Sequence, residues 1–115
     1  MTLIPVEKDH KTISGRFRKA DFFAFLNEGE ITIEENPHKT SKSPEFFEYF
    51  KTLKVDTVCI KELGYKTLLK LLELEVEVYL IEEADTFDEI RFDKLLLLDK
   101  ENAKEYCSLG HDKKA

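Results

Sequence analysis

Apolar residues fall into short runs of two periods along this chain, and the switches between them predict its elements. Leu3 to Val6 is a brief apolar segment read as a first strand, with Pro5 placed where its missing N–H is not needed. Phe22-Phe23-Ala24-Phe25-Leu26 and Ile31-Thr32-Ile33-Glu34-Glu35 flank the turn Asn27-Glu28-Gly29-Glu30, which predicts a β-hairpin. The first run is apolar on both faces and suits an interior strand. The second alternates apolar with polar residues and suits an edge with one wet face.

Asn36-Pro37 stops the hairpin, and a polar loop follows. Ser43-Pro44 then reads as an N-cap with proline at the first helical position. Phe46, Phe47, Phe50 and Leu53 recur at helical spacing with Tyr49 alongside, predicting a helix that ends near Lys54. Val55 to Ile60 predicts a buried strand, Leu63 to Leu74 a second amphipathic helix, and Val76 to Ile81 a further strand. Strand, helix, strand implies parallel pairing with a right-handed crossover, and the hairpin extends the same sheet, making it mixed. Thr86, followed by Asp88 and Glu89, reads as the start of a third helix. Leu95 to Leu98 fits a helix end, a short strand or a partner-docking or dimer surface, and periodicity does not separate these.

The length of 115 residues sets one domain, read as 1–106 with a polar, flexible tail over 107–115. A 42% hydrophobic and 37% charged composition is that of a chain able to bury a core. The net charge of -6 argues against a general nucleic-acid footprint, which is normally basic. The nine phenylalanines are read as core packing, because the charges between them are acidic as often as basic. Cys59 and Cys107 form no Cys-x-x-Cys pair and point to a reducing, cytoplasmic location. No apolar run approaches the roughly 18 residues of a membrane span, so no membrane association is expected.

Several local strings, in order and spacing, carry a resemblance: Ile4-Pro5-Val6, the stretch from Ile13 through Ser14-Gly15-Arg16-Phe17-Arg18 to Phe23, Glu35-Asn36-Pro37, and Val55-Asp56-Thr57-Val58 leading to Gly64. From about Leu3 to Ile90 the chain resembles the dinitrogenase iron-molybdenum cofactor biosynthesis family of cluster-carrier proteins. The resemblance implies an α/β domain with a ribonuclease-H-like mixed β-sheet of about five strands flanked by helices. It also implies binding of an iron-molybdenum or iron-sulfur cluster, and partners among nitrogenase or cofactor-assembly proteins. Two departures change the expected chemistry. Arg16 stands where the family carries histidine, and Arg18 where it carries glycine, while Lys42-Ser43-Pro44-Glu45 replaces a glycine-rich helix start. A guanidinium offers donors but no metal-binding lone pair, so cluster ligation by this loop is lost while anion binding is kept.

The candidate binding residues are Arg16, Arg18, Lys19, His38 and Lys42, with Lys39 beside them: a basic cluster on an acidic protein, close to the first helix N-terminus. A solvated loop making ordinary surface pairs explains the same charges. Cys107 and His111 are candidate metal ligands, four residues apart in the tail, and too few to close a zinc site alone. Cys59 reads as a core residue and His10 as an exposed one. The first strand has no carboxylate for a two-metal hydrolase, and neither a Ser-His-Asp set nor a phosphate-cradling glycine loop is found. The expected function is therefore a non-catalytic carrier or binding protein, or an interaction domain that keeps the fold without a cluster.

Overall fold

Three phenylalanines from one helix and three from the chain before it interlock at the centre of the molecule, seen in a computed structural model that describes residues 1–106. Cys107 and His111 lie outside the described residues. The strands are β1 (Thr2–Val6), β2 (Phe22–Asn27), β3 (Glu30–Glu35), β4 (Thr57–Ile60), β5 (Glu77–Leu80) and β6 (Leu96–Leu98). The helices are α1 (Ser43–Thr52), α2 (Tyr65–Glu73) and the short α3 (Ala103–Tyr106). All strands join one six-stranded mixed sheet in the order β3-β2-β1-β4-β5-β6. The sheet thus has one strand more than the expected five, because the leucine run pairs antiparallel with β5.

The hairpin forms as its pattern requires. Glu28 and Gly29 both take positive φ, at 51° and 86°, the geometry of a two-residue turn whose twist matches the strands. β2 lies between β1 and β3 and is largely buried, while β3 is an edge whose residues are exposed except for half-buried Ile33. β4 and β5 are parallel, as a βαβ unit demands, and β4 also runs parallel to β1.

Both long helices cover one face. α1 buries Phe46, Phe47 and Phe50, and α2 buries Leu68 and Leu71, in a core shared with Leu3, Phe23, Phe25, Val58, Ile60 and Val78. Each fully buried phenylalanine contributes about 1.5–3 kcal/mol. Among the described residues the other face carries no α-helix. Ile4, Val6, Ala24 and Cys59 pack there against Ile13, Ile81, Ala84, Phe87, Ile90 and Leu95, which come from loops and one 3-10 turn. Bridges Val6↔Ile13 and Thr12↔Thr86 tie that covering layer down.

Helix ends depart from expectation in two places. The N-cap of α1 is Lys42, one residue earlier than Ser43, and its backbone N–H donates to Glu45 Oε1 at 3.0 Å. The third α-helix expected from Thr86 is a 3-10 turn over Phe87–Glu89. Thr86 does cap it, and Glu89 Oε1 accepts from the N–H groups of Asp85 and Thr86 at 3.2 Å. The start of this turn is tied to the Lys11–Ile13 segment, the Asp85 carbonyl accepting from Ile13 N and Phe87 N donating to the Lys11 carbonyl. With a radius of gyration of 13.2 Å, the chain is as compact as one domain of this length, for which about 13 Å is expected.

Candidate functional site

The carboxyl ends of β1, β4 and β5 lie at one rim of the sheet, where ligands of open α/β folds bind if neighbouring connections part. They part between β1 and β4: the chain leaving β1 returns as β2, while that leaving β4 enters α2 and returns as β5. The β1–β4 register covers only Thr2 and Leu3 and ends before Pro5, which has no N–H to extend it. Into this divergence folds Ser14, whose N–H donates to the Pro5 carbonyl at 2.9 Å.

Anchoring residues set what this loop displays. Ile13, Ser14, Phe17 and Ala20 are buried, and the Phe17 ring meets Phe46 and Phe50 edge-on with centroids at 5.4 and 5.9 Å. With Phe17 pointing inward, Arg16 and Lys19 are left exposed and Arg18 half-buried. Gly15 brings the loop against the β4–α2 connection, since a Cβ there would sit 3.8 Å from Glu62 Oε2. Gly64 caps α2 without a side-chain acceptor. The exposed Glu62 carboxylate opposes any anion brought to this rim.

The loop before α1 meets the same segment through Asn36, a residue whose role was not legible in the sequence. Asn36 is buried; its Nδ2 donates to the carbonyls of Arg18 and Ala20 at 2.9 and 3.0 Å, and its Oδ1 accepts from His38 N at 2.9 Å. Around this clasp the structure gathers Arg18, His38 and Lys39, each with an internal partner. Arg18 Nη1 donates to the Ser41 carbonyl at 3.3 Å, and His38 Nδ1 pairs with Ser41 Oγ at 2.9 Å. The His38 ring lies 4.8 Å from that of Tyr49. Lys39 Nζ contacts Asp21 at 2.6 Å, and this bond holds the Asp21 carboxyl below the usual carboxylate range. Arg16, Lys19 and Lys42 make no ion pair among the described residues. At the far side of the rim Lys61 pairs with Asp85 at 2.6 Å.

Metal ligation is not built from these groups. Among the described residues no three His, Cys, Asp or Glu side chains are grouped to hold an ion. Cys59 is buried, and burial pushes its thiol up to about 12, which leaves it neutral and inert. No described helix is long and apolar enough to cross a membrane.

Fold and rim together define an open mixed α/β sheet with helices on one face and loops gathered where its central parallel strands diverge. No family model matches the chain, and no curated protein matches it. Among solved structures the chain is similar to a Thermotoga protein determined by NMR, provisionally described as a NifB protein and assigned to the DUF35 family. The two share 24% identity over 76% of this chain and 80% of that one, with a TM-score of 0.55, which shows a common fold.

Proposed function

We propose that this chain is a non-catalytic binding protein with a ribonuclease-H-like sheet, a divergent member of the dinitrogenase iron-molybdenum cofactor biosynthesis family. Its cargo is an anionic iron-molybdenum or iron-sulfur cluster, or a precursor, passed in the cytoplasm to nitrogenase or a cofactor-assembly partner. The carrying observation is the rim between β1 and β4, where an anchored loop presents Arg16 and Lys19 with no ion-pair partner among the described residues. The strand order and the neighbour's provisional NifB description support the same reading. The described residues do not fit direct ligation of a metal, so holding by residues 1–106 rests on charge and hydrogen bonds from Arg16, Lys19 and Lys42. Cys107 and His111 are the proposed remaining ligands.

Anaerobic size-exclusion chromatography with isolated iron-molybdenum cluster tests this, reading iron and molybdenum in the protein peak. Stoichiometric co-elution that falls in Arg16→Ala, Cys107→Ala or His111→Ala is the expected result. A metal-free peak from folded protein sinks the carrier reading. It would favour a second one, an interaction domain that keeps the fold without a cluster, which the internal engagement of Arg18, His38 and Lys39 already supports.

A further inference from the structure

Among the described residues, β3 has β2 on one side and no strand on the other. The hairpin register fixes which of its backbone groups face outward. A two-residue turn makes Asn27↔Glu30 a hydrogen-bonded pair. Asn36 N donating to the Asp21 carbonyl at 3.0 Å belongs to the same alternation. Glu30, Thr32 and Glu34 therefore turn their N–H and C=O groups toward β2. Those of Ile31, Ile33 and Glu35 point away from the sheet, as in any edge ready for another strand.

Side chains divide this edge into two chemically distinct flanks. Glu30, Thr32 and Glu34 lie on the helix-covered face, opposite Asn27, Phe25 and Phe23, and all three are exposed. Ile31 and Ile33 lie on the other face, opposite Leu26 and Ala24; Ile31 is 55% exposed and Ile33 and Leu26 are half-buried. Burial first, then the charge of Glu34, raises the Tyr49 phenol, so the acidic flank reaches the α1 surface. The opposite edge is shorter, and the Leu97 carbonyl there already accepts from Asn102 Nδ2 at 3.0 Å. A second copy is a poor match for β3. Antiparallel self-pairing about Thr32 sets Glu30 against Glu34, which is destabilising, and pairing about Ile33 sets Ile31 against Glu35 and gains no charge pair.

We propose that the free edge of β3 docks an extended segment of a partner protein in which basic and β-branched aliphatic side chains alternate. The segment adds a seventh strand to the six already present. Its lysines or arginines lie beside Glu30 and Glu34, its aliphatic side chains cover Ile31 and Ile33, and its backbone satisfies the outward groups of Ile31, Ile33 and Glu35. The choice of partner follows from charge: the acids that discourage self-pairing attract a basic strand.

A labelled peptide, Lys-Val-Arg-Val-Lys-Val, titrated against the full chain and followed by fluorescence anisotropy and NMR amide exchange, tests the proposal. Expected are saturable, salt-sensitive binding and protection of the Ile31, Ile33 and Glu35 amides. Two cross-strand charge pairs turned repulsive in Glu30→Lys/Glu34→Lys should weaken binding about tenfold or more. Ile33→Pro removes an outward N–H without breaking the β2–β3 ladder and should also abolish protection, with the double lysine variant deciding the matter if it fails to fold. Absence of saturable binding, binding indifferent to the lysine variant, or protection on β6 instead would each overturn the proposal. So would a concentration-dependent dimer that protects the same three amides without peptide.

Discussion

Asn36 spends its whole amide on joining two loops, and such a group is expensive to remove. Asn36→Ala leaves the Arg18 and Ala20 carbonyls and the His38 N–H without that partner. It should lower stability by about 2–3 kcal/mol, measured by urea unfolding. The string Glu35-Asn36-Pro37 was visible in the sequence, but the clasp was not, because its partners lie 16 and 18 residues away. Lys54 and Glu75 follow the C-caps of α1 and α2 at φ 59° and 64°. After α2 the N–H groups of Glu75 and Val76 return to the carbonyls of Leu72 and Leu71, closing a Schellman motif on a residue with a Cβ. Glu75→Gly should therefore add about 0.5–1 kcal/mol, read as a rise in Tm. Asp9 accepts from Lys11 N, Thr12 N and the Thr12 hydroxyl, and these bonds, the hydroxyl first, hold its carboxyl down to about 2. A depressed folded pKa gives stability that is present above the ordinary value of 3.8 and is lost as pH falls towards about 2. Asp9→Asn should flatten the acid limb of the unfolding curve over that window.

Elements whose hydrophobic period was long or strongly alternating were legible; those fixed by distant contacts were not. The interior place of β2, the edge place of β3 and the parallel β4–β5 pair follow directly from patterns at Phe22–Leu26, Ile31–Glu35 and Val55–Ile81. At Thr86 the cap signature was real, yet the residues on either side of it, Asp85 and Phe87, are bonded to Ile13 and Lys11, contacts that local propensity does not register. The leucine run became strand only because β5 offered an open edge. Of the candidate site, the basic loop was readable as composition, whereas its division into struts and exposed cations depends on Ser41 and Asp21 across the clasp. The same division sets mutational cost on α1 and its surroundings. Phe46→Ala, at 0% exposure with four aromatic neighbours beyond Phe47, should lose about 3–5 kcal/mol. Phe92→Ala, at 51% exposure, should lose under about 0.5 kcal/mol in the same chemical denaturation series.

At the scale of the whole molecule, one face is sealed by helices and the other by loops and one 3-10 turn, with Cys59 buried beneath the latter layer. Its thiol therefore reports how that second layer opens. In a Cys107→Ser background, reaction with an aromatic disulfide reagent should be slow at neutral pH. If the loop layer opens locally, the labelling rate will exceed that of global unfolding, and amide exchange at Ile13 and Phe87 should share the faster rate. Equal rates would mean the layer unfolds only with the core.

Placing β1 between the hairpin and the βαβ unit also dictates an order of events in time. β2 with β3, and β4 with α2 and β5, are contiguous stretches, the hairpin able to form within about 1–10 μs and the parallel unit more slowly. Neither becomes part of the other until β1 meets β4, a closure spanning 55 residues between Met1 and Asp56. Its entropy costs about 3.5 kcal/mol before any constant term. Truncating Leu3 should accordingly slow the refolding arm of a chevron, whereas truncating Ile31 should mainly hasten unfolding.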